Sequence, residues 1–300
     1  MTKIKLFFEK HSASKNKLPC RKYTRSKFGD FVMFFFLAAA GLFSMLPLIY
    51  SVCTSFKPLD ELLIFPPRFF VRRPTLANYL NLPDLMAALN VPLSRYIFNS
   101  LFVSIITTFF YIIIATMAAF VLSKGKFKGC KSIFWMVQFA LMFNACTLAI
   151  PQYLIFSELR IIDSYWVYIL PHMASTLGVF LAKQYIEGYI PDALLEAAKI
   201  DGANVMRVFW SIVMPIIKPA WLTIMLFSFR DIWSAVPNGT IFSEQLKILP
   251  QIVTQITTGG TARAGSSMAV TVIMMIPPII VFLISQSNVV EAMSSAGIKE

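Results

Sequence analysis

Residues 191–220 read PDALLEAAKIDGANVMRVFWSIVMPIIKPA, a polar-faced interruption between two long apolar segments. Pro191 suits the first turn of a helix, where its missing N–H is not needed. Asp192, Glu196 and Lys199 then fall on one side at helical spacing, with Leu194, Leu195 and Ala198 on another. Gly202 stands where a helix would need a left-handed stop. Asn204 can cap a second start, and Val205, Val208, Phe209 and Ile212 repeat at helical spacing until Pro215. The stretch predicts helix, tight turn, helix. On periodicity alone it is equally an ordinary hairpin linking two helices.

Composition sets the surroundings of this turn. The chain is 57% hydrophobic and 14% charged and carries 28 Phe, which places it among polytopic membrane proteins rather than soluble globular ones. A net charge of +12 would suggest nucleic acid in a soluble chain. Here the basic residues cluster before Asp30 and between Lys124 and Lys131, beside apolar segments, which is the positive-inside pattern. Cys20, Cys53, Cys130 and Cys146 show no paired spacing, and His11 and His172 are the only histidines, so neither a disulfide framework nor a metal site is expected. The charged N-terminal region is too long for a cleavable signal, and no small-residue cleavage site follows it.

Taken in order, residues 1–30 form a basic cytoplasmic tail and residues 31–52 a first span of about twenty apolar residues, enough to cross a roughly 30 Å hydrocarbon core. Residues 53–95 are rich in proline and aromatics and are expected to form an irregular extracytoplasmic loop. Residues 96–290 hold five further spans: Tyr96 to Ser123, Ile133 to Phe156, Tyr165 to Tyr185, Pro219 to about Val236, and Ser267 to Ser285 with a kink near Pro277-Pro278. Residues 237–266 are the last outer loop, and residues 291–300 return to the cytoplasm. The expected fold is all-α with six transmembrane helices, and it leaves the 191–220 turn and both termini in the cytoplasm.

Glu196-Ala197-Ala198, three residues, Gly202, nine residues, Ile212, one residue, Met214-Pro215 resembles the EAA loop of ABC importer permeases of the binding-protein-dependent class, with Met214 where that pattern usually has Leu. EAAKIDGA, with Asp201 and Ala203 beside the glycine, is similar to the carbohydrate branch. The resemblance continues through IFNSLFVSIITTFFYIIIATMAAFVLSKGKFKG and through the last span and tail, so that it covers the chain from about Asp30. It implies a type I importer permease core whose coupling helix docks in a cleft of a cytoplasmic ATPase, with Glu196, Ala197, Ala198, Asp201, Gly202, Ala203, Ile212 and Pro215 forming the coupling element. Glu196 would pair with a basic residue of the cleft, and Gly202 would make the turn.

The chain has no Gly-x4-Gly-Lys-Ser/Thr phosphate loop, so it is expected to be no enzyme and to bind no cofactor, with ATP and Mg held by the partner ATPase. The resemblance implies a second permease, two ATPase subunits, an extracytoplasmic solute-binding protein, a carbohydrate substrate and the lipid of a bacterial inner membrane. Ionisable or polar groups inside spans are costly and favour a cavity or a partner. Arg230 and Asp231 lead these candidates for the translocation pathway, about 17 Å along the helix from Pro219. Asn144, His172 and Trp233 accompany them. Where many sugar permeases carry Trp-Asn in the fifth span, this chain reads Trp233-Ser234. The alternatives are a self-contained secondary transporter or channel, which would predict inverted repeats with broken helices, and an ABC permease for a non-sugar solute.

Overall fold

The computed structural model describes residues 27–87, 90–125, 127–143, 145–237, 239–260 and 263–296. Among these residues every regular element is helical. The chain divides into two units, Met1–Ile49 and Tyr50–Glu300. Of the first, the described part is one helix that starts at Lys27 (α1, Lys27–Ser55) and holds an unbroken run of Phe and Leu with Pro47 inside it.

The second unit is built on α2 (Leu93–Lys124), a helix about 48 Å long at 1.5 Å per residue and therefore longer than a bilayer core. Ser100, Ser104, Thr107, Thr108, Tyr111 and Ala115 recur on one buried face of it. Small side chains at helical spacing let neighbouring backbones approach closely, which is the usual currency of helix association in lipid. Toward its C-terminal half, Tyr111, Ala115 and Ala119 pack with Ala182, Ile186, Val213, Ile217 and Ile224. Toward its N-terminal half, Tyr96 joins Phe229, Trp233, Leu249, Ile252 and Val270.

Two of the expected spans are interrupted. Ile133 to Phe156 divides into α3 (Cys130–Ala140) and α4 (Ala145–Glu158), and Tyr165 to Tyr185 into α5 (Trp166–Met173) and α6 (Thr176–Tyr189). Pro171 withdraws one donor from α5, and Ser175 then takes an extended conformation (φ −61°, ψ 128°) that ends the helical path. Asn144 lies outside the described residues. Among the described residues, three helices are singly long and apolar enough to cross a membrane: Phe28–Ser55, Leu93–Lys124 and Ala264–Gln286. A fourth crossing is formed if the pair Val205–Ile216 and Lys218–Trp233, bent by 80°, is one span.

The 191–220 stretch forms α7 (Asp192–Ile200) and α8 (Val205–Val208), continued by a π-turn over Phe209–Val213 and a last turn over Met214–Ile216. After the bend at Ile217, α9 runs Lys218–Trp233 with Pro219 in its first turn. The last long helix follows α10 (Leu249–Thr257) and runs Ala264–Ala296 with Pro277 and Pro278 inside it (α11).

Both outer loops, the one expected to be irregular included, carry helices. Residues 53–95 contain the short helices Leu59–Leu62, Ala77–Leu80 and Leu82–Ala87. Lys57, only 3% exposed, donates to the Arg68 carbonyl, Glu61, 7% exposed, accepts from the Arg72 and Arg73 amides at 3.2 and 2.9 Å, and Arg73 pairs with Asp60. In the 237–266 loop, α10 is buried against α2 and α11 rather than left in solvent.

Candidate functional site

The turn between α7 and α8 is closed by its own backbone. The Gly202 amide donates to the Lys199 carbonyl and the Ala203 amide to the Ala198 carbonyl, both at 3.0 Å, with Gly202 at φ 76°. This is a Schellman stop, in which only a residue tolerant of the left-handed region fits the position after the cap. The Asn204 side chain then accepts from the Met206 amide at 3.4 Å and starts α8. Leu195 and Ala198 bury one face of α7 in the core with Val208, Phe209, Val213 and Ile217, while Glu196, Ala197 and Asp201 are exposed on the other. Ile212 packs at the edge of that core, and Pro215 is exposed.

A second fastening was not legible in the motif. The Lys124 ammonium, at the end of α2, donates to the Ile190 carbonyl at 2.6 Å and to the Asp192 carboxylate at 2.7 Å. It ties the start of α7 to the end of α2. Between the two fastenings the turn presents apolar side chains to its surroundings: Ile200 is 86% exposed, and Val205, Met206 and Trp210 are exposed with it. Exposed apolar residues grouped at one end of a protein mark a partner surface.

The pathway candidates separate. A cavity of about 740 Å³ lies between α4, the α5–α6 break and the end of α9, and His172, Ser175, Thr176 and Asp231 line it together with Gln152 and Tyr153. His172 and Asp231 also share a second hollow of about 30 Å³, roughly the room of one water, with Tyr111 and Gly178. His172 Nδ1 lies 2.8 Å from the Tyr168 carbonyl one turn earlier, which fixes the ring. Arg230 is exposed and is absent from the walls of both hollows, as expected for consecutive residues about 100° apart on a helix. Trp233 lies apart from them: it is 3% exposed, stacks on Phe229 at 5.7 Å, and donates its indole N–H to the Met274 carbonyl at 2.8 Å. It holds α9 to α11.

At the opposite end of α2 from Lys124, a polar network seals the 237–266 loop. Asn99 donates to the carbonyls of Gln245 and Lys247 at 2.8 and 2.9 Å and accepts from the Tyr165 hydroxyl at 2.8 Å. Ser100 accepts the Leu249 amide at 2.9 Å, and Tyr168 donates to Gln251 at 3.0 Å. Asp163 accepts the amides of Phe242 and Ser243 at 2.9 and 2.8 Å and the Ser243 hydroxyl. The Ser243 hydroxyl bond is the largest of the effects that hold the Asp163 carboxyl below its ordinary value; burial opposes it, and the two amides, each a smaller effect than burial, add to it. The clue in the sequence was the run of Asn, Ser and Thr on one face of α2, which marks a buried polar seam but not its partners.

No family profile matches the chain. Several characterised permeases do. The chain is 30% identical over 201 residues to the sn-glycerol-3-phosphate transport system permease protein UgpE of Shigella flexneri, covering 66% of this chain and 71% of that one. It is 27% identical over 228 residues to the polygalacturonan/rhamnogalacturonan transport system permease protein YtcP of Bacillus subtilis, covering 73% of each. It is 25% identical over 267 residues to the inner membrane ABC transporter permease protein YcjP of Escherichia coli, covering 88% of this chain and 94% of that one. The fold is similar to that of a chain in the crystal structure of a bacterial ABC transporter involved in the import of the acidic polysaccharide alginate, with a TM-score of 0.67 at 20% identity over 88% of this chain and 98% of that one. A membrane chain with an all-helical fold, a capped turn of this spacing and relatives of this kind belongs to the family of carbohydrate ABC importer permeases.

Proposed function

We propose that this chain is one of two permease subunits of an ATP-driven importer that moves a sugar or oligosaccharide across a bacterial inner membrane. A binding protein delivers the solute from outside, and two ATPase subunits, which hold ATP and Mg, close on the cytoplasmic side. The six crossings are α1, α2, the broken pairs α3–α4 and α5–α6, α9 and α11, with both termini in the cytoplasm, the first 30 residues as a basic tail and residues 53–95 outside. The second permease is a related chain rather than a second copy, and no nucleic acid is involved. The relatives named for polygalacturonan and sn-glycerol-3-phosphate transport support the saccharide or polyol class of the solute but, being named for anionic solutes, not its charge.

The observation that carries this reading is the α7–α8 turn. It is stopped by Gly202, tied to α2 by Lys124, and apolar and exposed at Ile200, Val205, Met206 and Trp210. A rigid, exposed, apolar end with Glu196 beside it suits the coupling helix: the apolar cluster seats in the ATPase cleft, Glu196 sets its register through charge, and closure of the ATPases swings the helix with α2 and α9. His172 and Asp231 face the pathway in this reading, and Arg230, on another side of α9, faces the partner permease.

The reading is tested by a cysteine at Ile200 in the assembled complex. A short bifunctional thiol reagent should link it to an engineered cysteine in the ATPase cleft, with a yield that changes when nucleotide is trapped. No link in any nucleotide state, in a complex that still contains both chains, would overturn the coupling role.

A further inference from the structure

The 740 Å³ cavity is the size of a small-molecule site, and its lining has an uneven chemistry. Among the described residues, Asp231 is the one formal charge on its wall, and neither Lys nor Arg contributes to it. No ion pair to the Asp231 carboxylate forms among those residues. The remaining polar groups are His172, whose Nδ1 is engaged with the Tyr168 carbonyl, Gln152, Tyr153, Tyr168, the hydroxyls of Ser175 and Thr176, and Thr240, whose buried hydroxyl has no protein partner. Phe143 and Phe156 add apolar faces.

The one feature of opposite sign is the N-terminus of α6 at Thr176. A helix end carries the equivalent of about half a positive charge, which a full carboxylate outweighs. The two together form a donor and an acceptor pair: backbone N–H groups at the α6 start for a sugar oxygen, and the Asp231 carboxylate for a sugar hydroxyl. Aromatic faces beside them suit the C–H faces of a pyranose ring. An anionic sugar entering the same space meets the like charge of the Asp231 carboxylate, with no cation on the wall to offset it.

We propose that this wall is selective for uncharged saccharides, and that Asp231 is the specificity-determining residue that excludes uronates and phosphorylated or sulfonated sugars. This rests on the pathway reading of His172 and Asp231 above.

The test uses Ala235→Cys, a small residue on the cavity wall about one turn beyond Asp231, in the complete transport complex with the four native cysteines replaced by serine. Three methanethiosulfonate reagents of similar size, cationic, neutral and anionic, are compared, each rate divided by that of the same reagent with free cysteine. The neutral reagent should react at a rate that changes when ATP is trapped. The cationic reagent should react about tenfold faster than the anionic one after this normalisation. Asp231→Asn should bring the two within about twofold, and Asp231→Glu should keep the preference. Recovery of the intact complex checks that each variant folds. If the thiol is unreactive, or its neutral labelling ignores nucleotide, the pathway reading falls and this proposal with it. If labelling follows nucleotide but anionic and cationic reagents react alike, or the preference survives in Asp231→Asn, the pathway reading stands and the charge filter is overturned.

Discussion

The Tyr111 hydroxyl lies 2.6 Å from the backbone nitrogen of Gly178 and accepts its N–H. Gly178 is the third residue of α6, so a side chain from α2 satisfies one of the donors left open where the broken crossing restarts. Tyr111→Phe leaves that N–H buried without a partner and should cost about 1–3 kcal/mol. Gly178→Ala should cost more. Its methyl would lie 2.4 Å from the same oxygen and 2.7 Å from the ring carbon bearing it, so the ring must move. Thermal unfolding of the purified complex checks both, and a wild-type profile for Tyr111→Phe would refute the capping role.

At Gly202 the strain is conformational rather than steric. The residue sits at φ 76°, and no atom lies within 4 Å of an added Cβ. Gly202→Asn, a residue that tolerates the left-handed region, should retain most transport, whereas Gly202→Val should lose it because a β-branched residue does not adopt that φ. Gly202→Asp should resemble Asn in folding, so any loss it shows beyond Asn reports its charge at the docking surface. Uptake in vesicles with equal amounts of complex separates these outcomes.

Glu196→Lys reverses the charge of an exposed residue and should leave the complex in the membrane while abolishing uptake. Charge reversal of the facing basic residue in the ATPase should restore part of it. Uptake unaffected by the single substitution would remove Glu196 from the coupling surface.

Lys124→Ala should loosen the start of α7 from α2, because both the Ile190 carbonyl and the Asp192 carboxylate lose their donor. The expected signature is ATP hydrolysis that continues with uptake reduced several-fold, since about 1–3 kcal/mol is at stake in a charged hydrogen bond to a partly buried carbonyl. Asp192→Asn should do much less. Its side chain is largely exposed, and surface ion pairs contribute about 0–1 kcal/mol.

The Asp163 latch on the 237–266 loop predicts a pH dependence. Its folded-state value is held below the ordinary 3.8, first by the Ser243 hydroxyl bond. Its stabilisation is therefore fully present above that ordinary value and is lost as pH falls through the lowered one. At neutral pH Asp163→Asn should be less stable than wild type, and the difference should shrink to nothing in strong acid. A gap in unfolding temperature that stays constant with pH would show that the carboxylate contributes nothing through its charge.

What the chain itself determined is local. The spacing from Pro191 through Gly202 to Asn204 dictates a helix, a left-handed stop and a new start within a dozen residues, because caps and glycine conformations depend on near neighbours. The apolar character of residues 31–52, 96–123 and 267–285 likewise follows from composition, which is all that a lipid solvent tests.

The tertiary structure decided what depends on partners far along the chain. Ile133 to Phe156 and Tyr165 to Tyr185 each read as one span in the sequence, yet α5 and α6 part at Ser175, where Tyr111, 67 positions from Gly178, supplies the missing partner. Residues 237–266 read as an outer loop, but Asn99 and Ser100 satisfy their backbone from nearly 150 positions away and so allow α10 to be buried. Arg230, Asp231 and Trp233 are near neighbours in sequence. Only the packing of α9 turns Trp233 into the core and Asp231 onto a cavity wall, because a step of one residue rotates the side chain by about 100° and the neighbouring helices decide which side is filled.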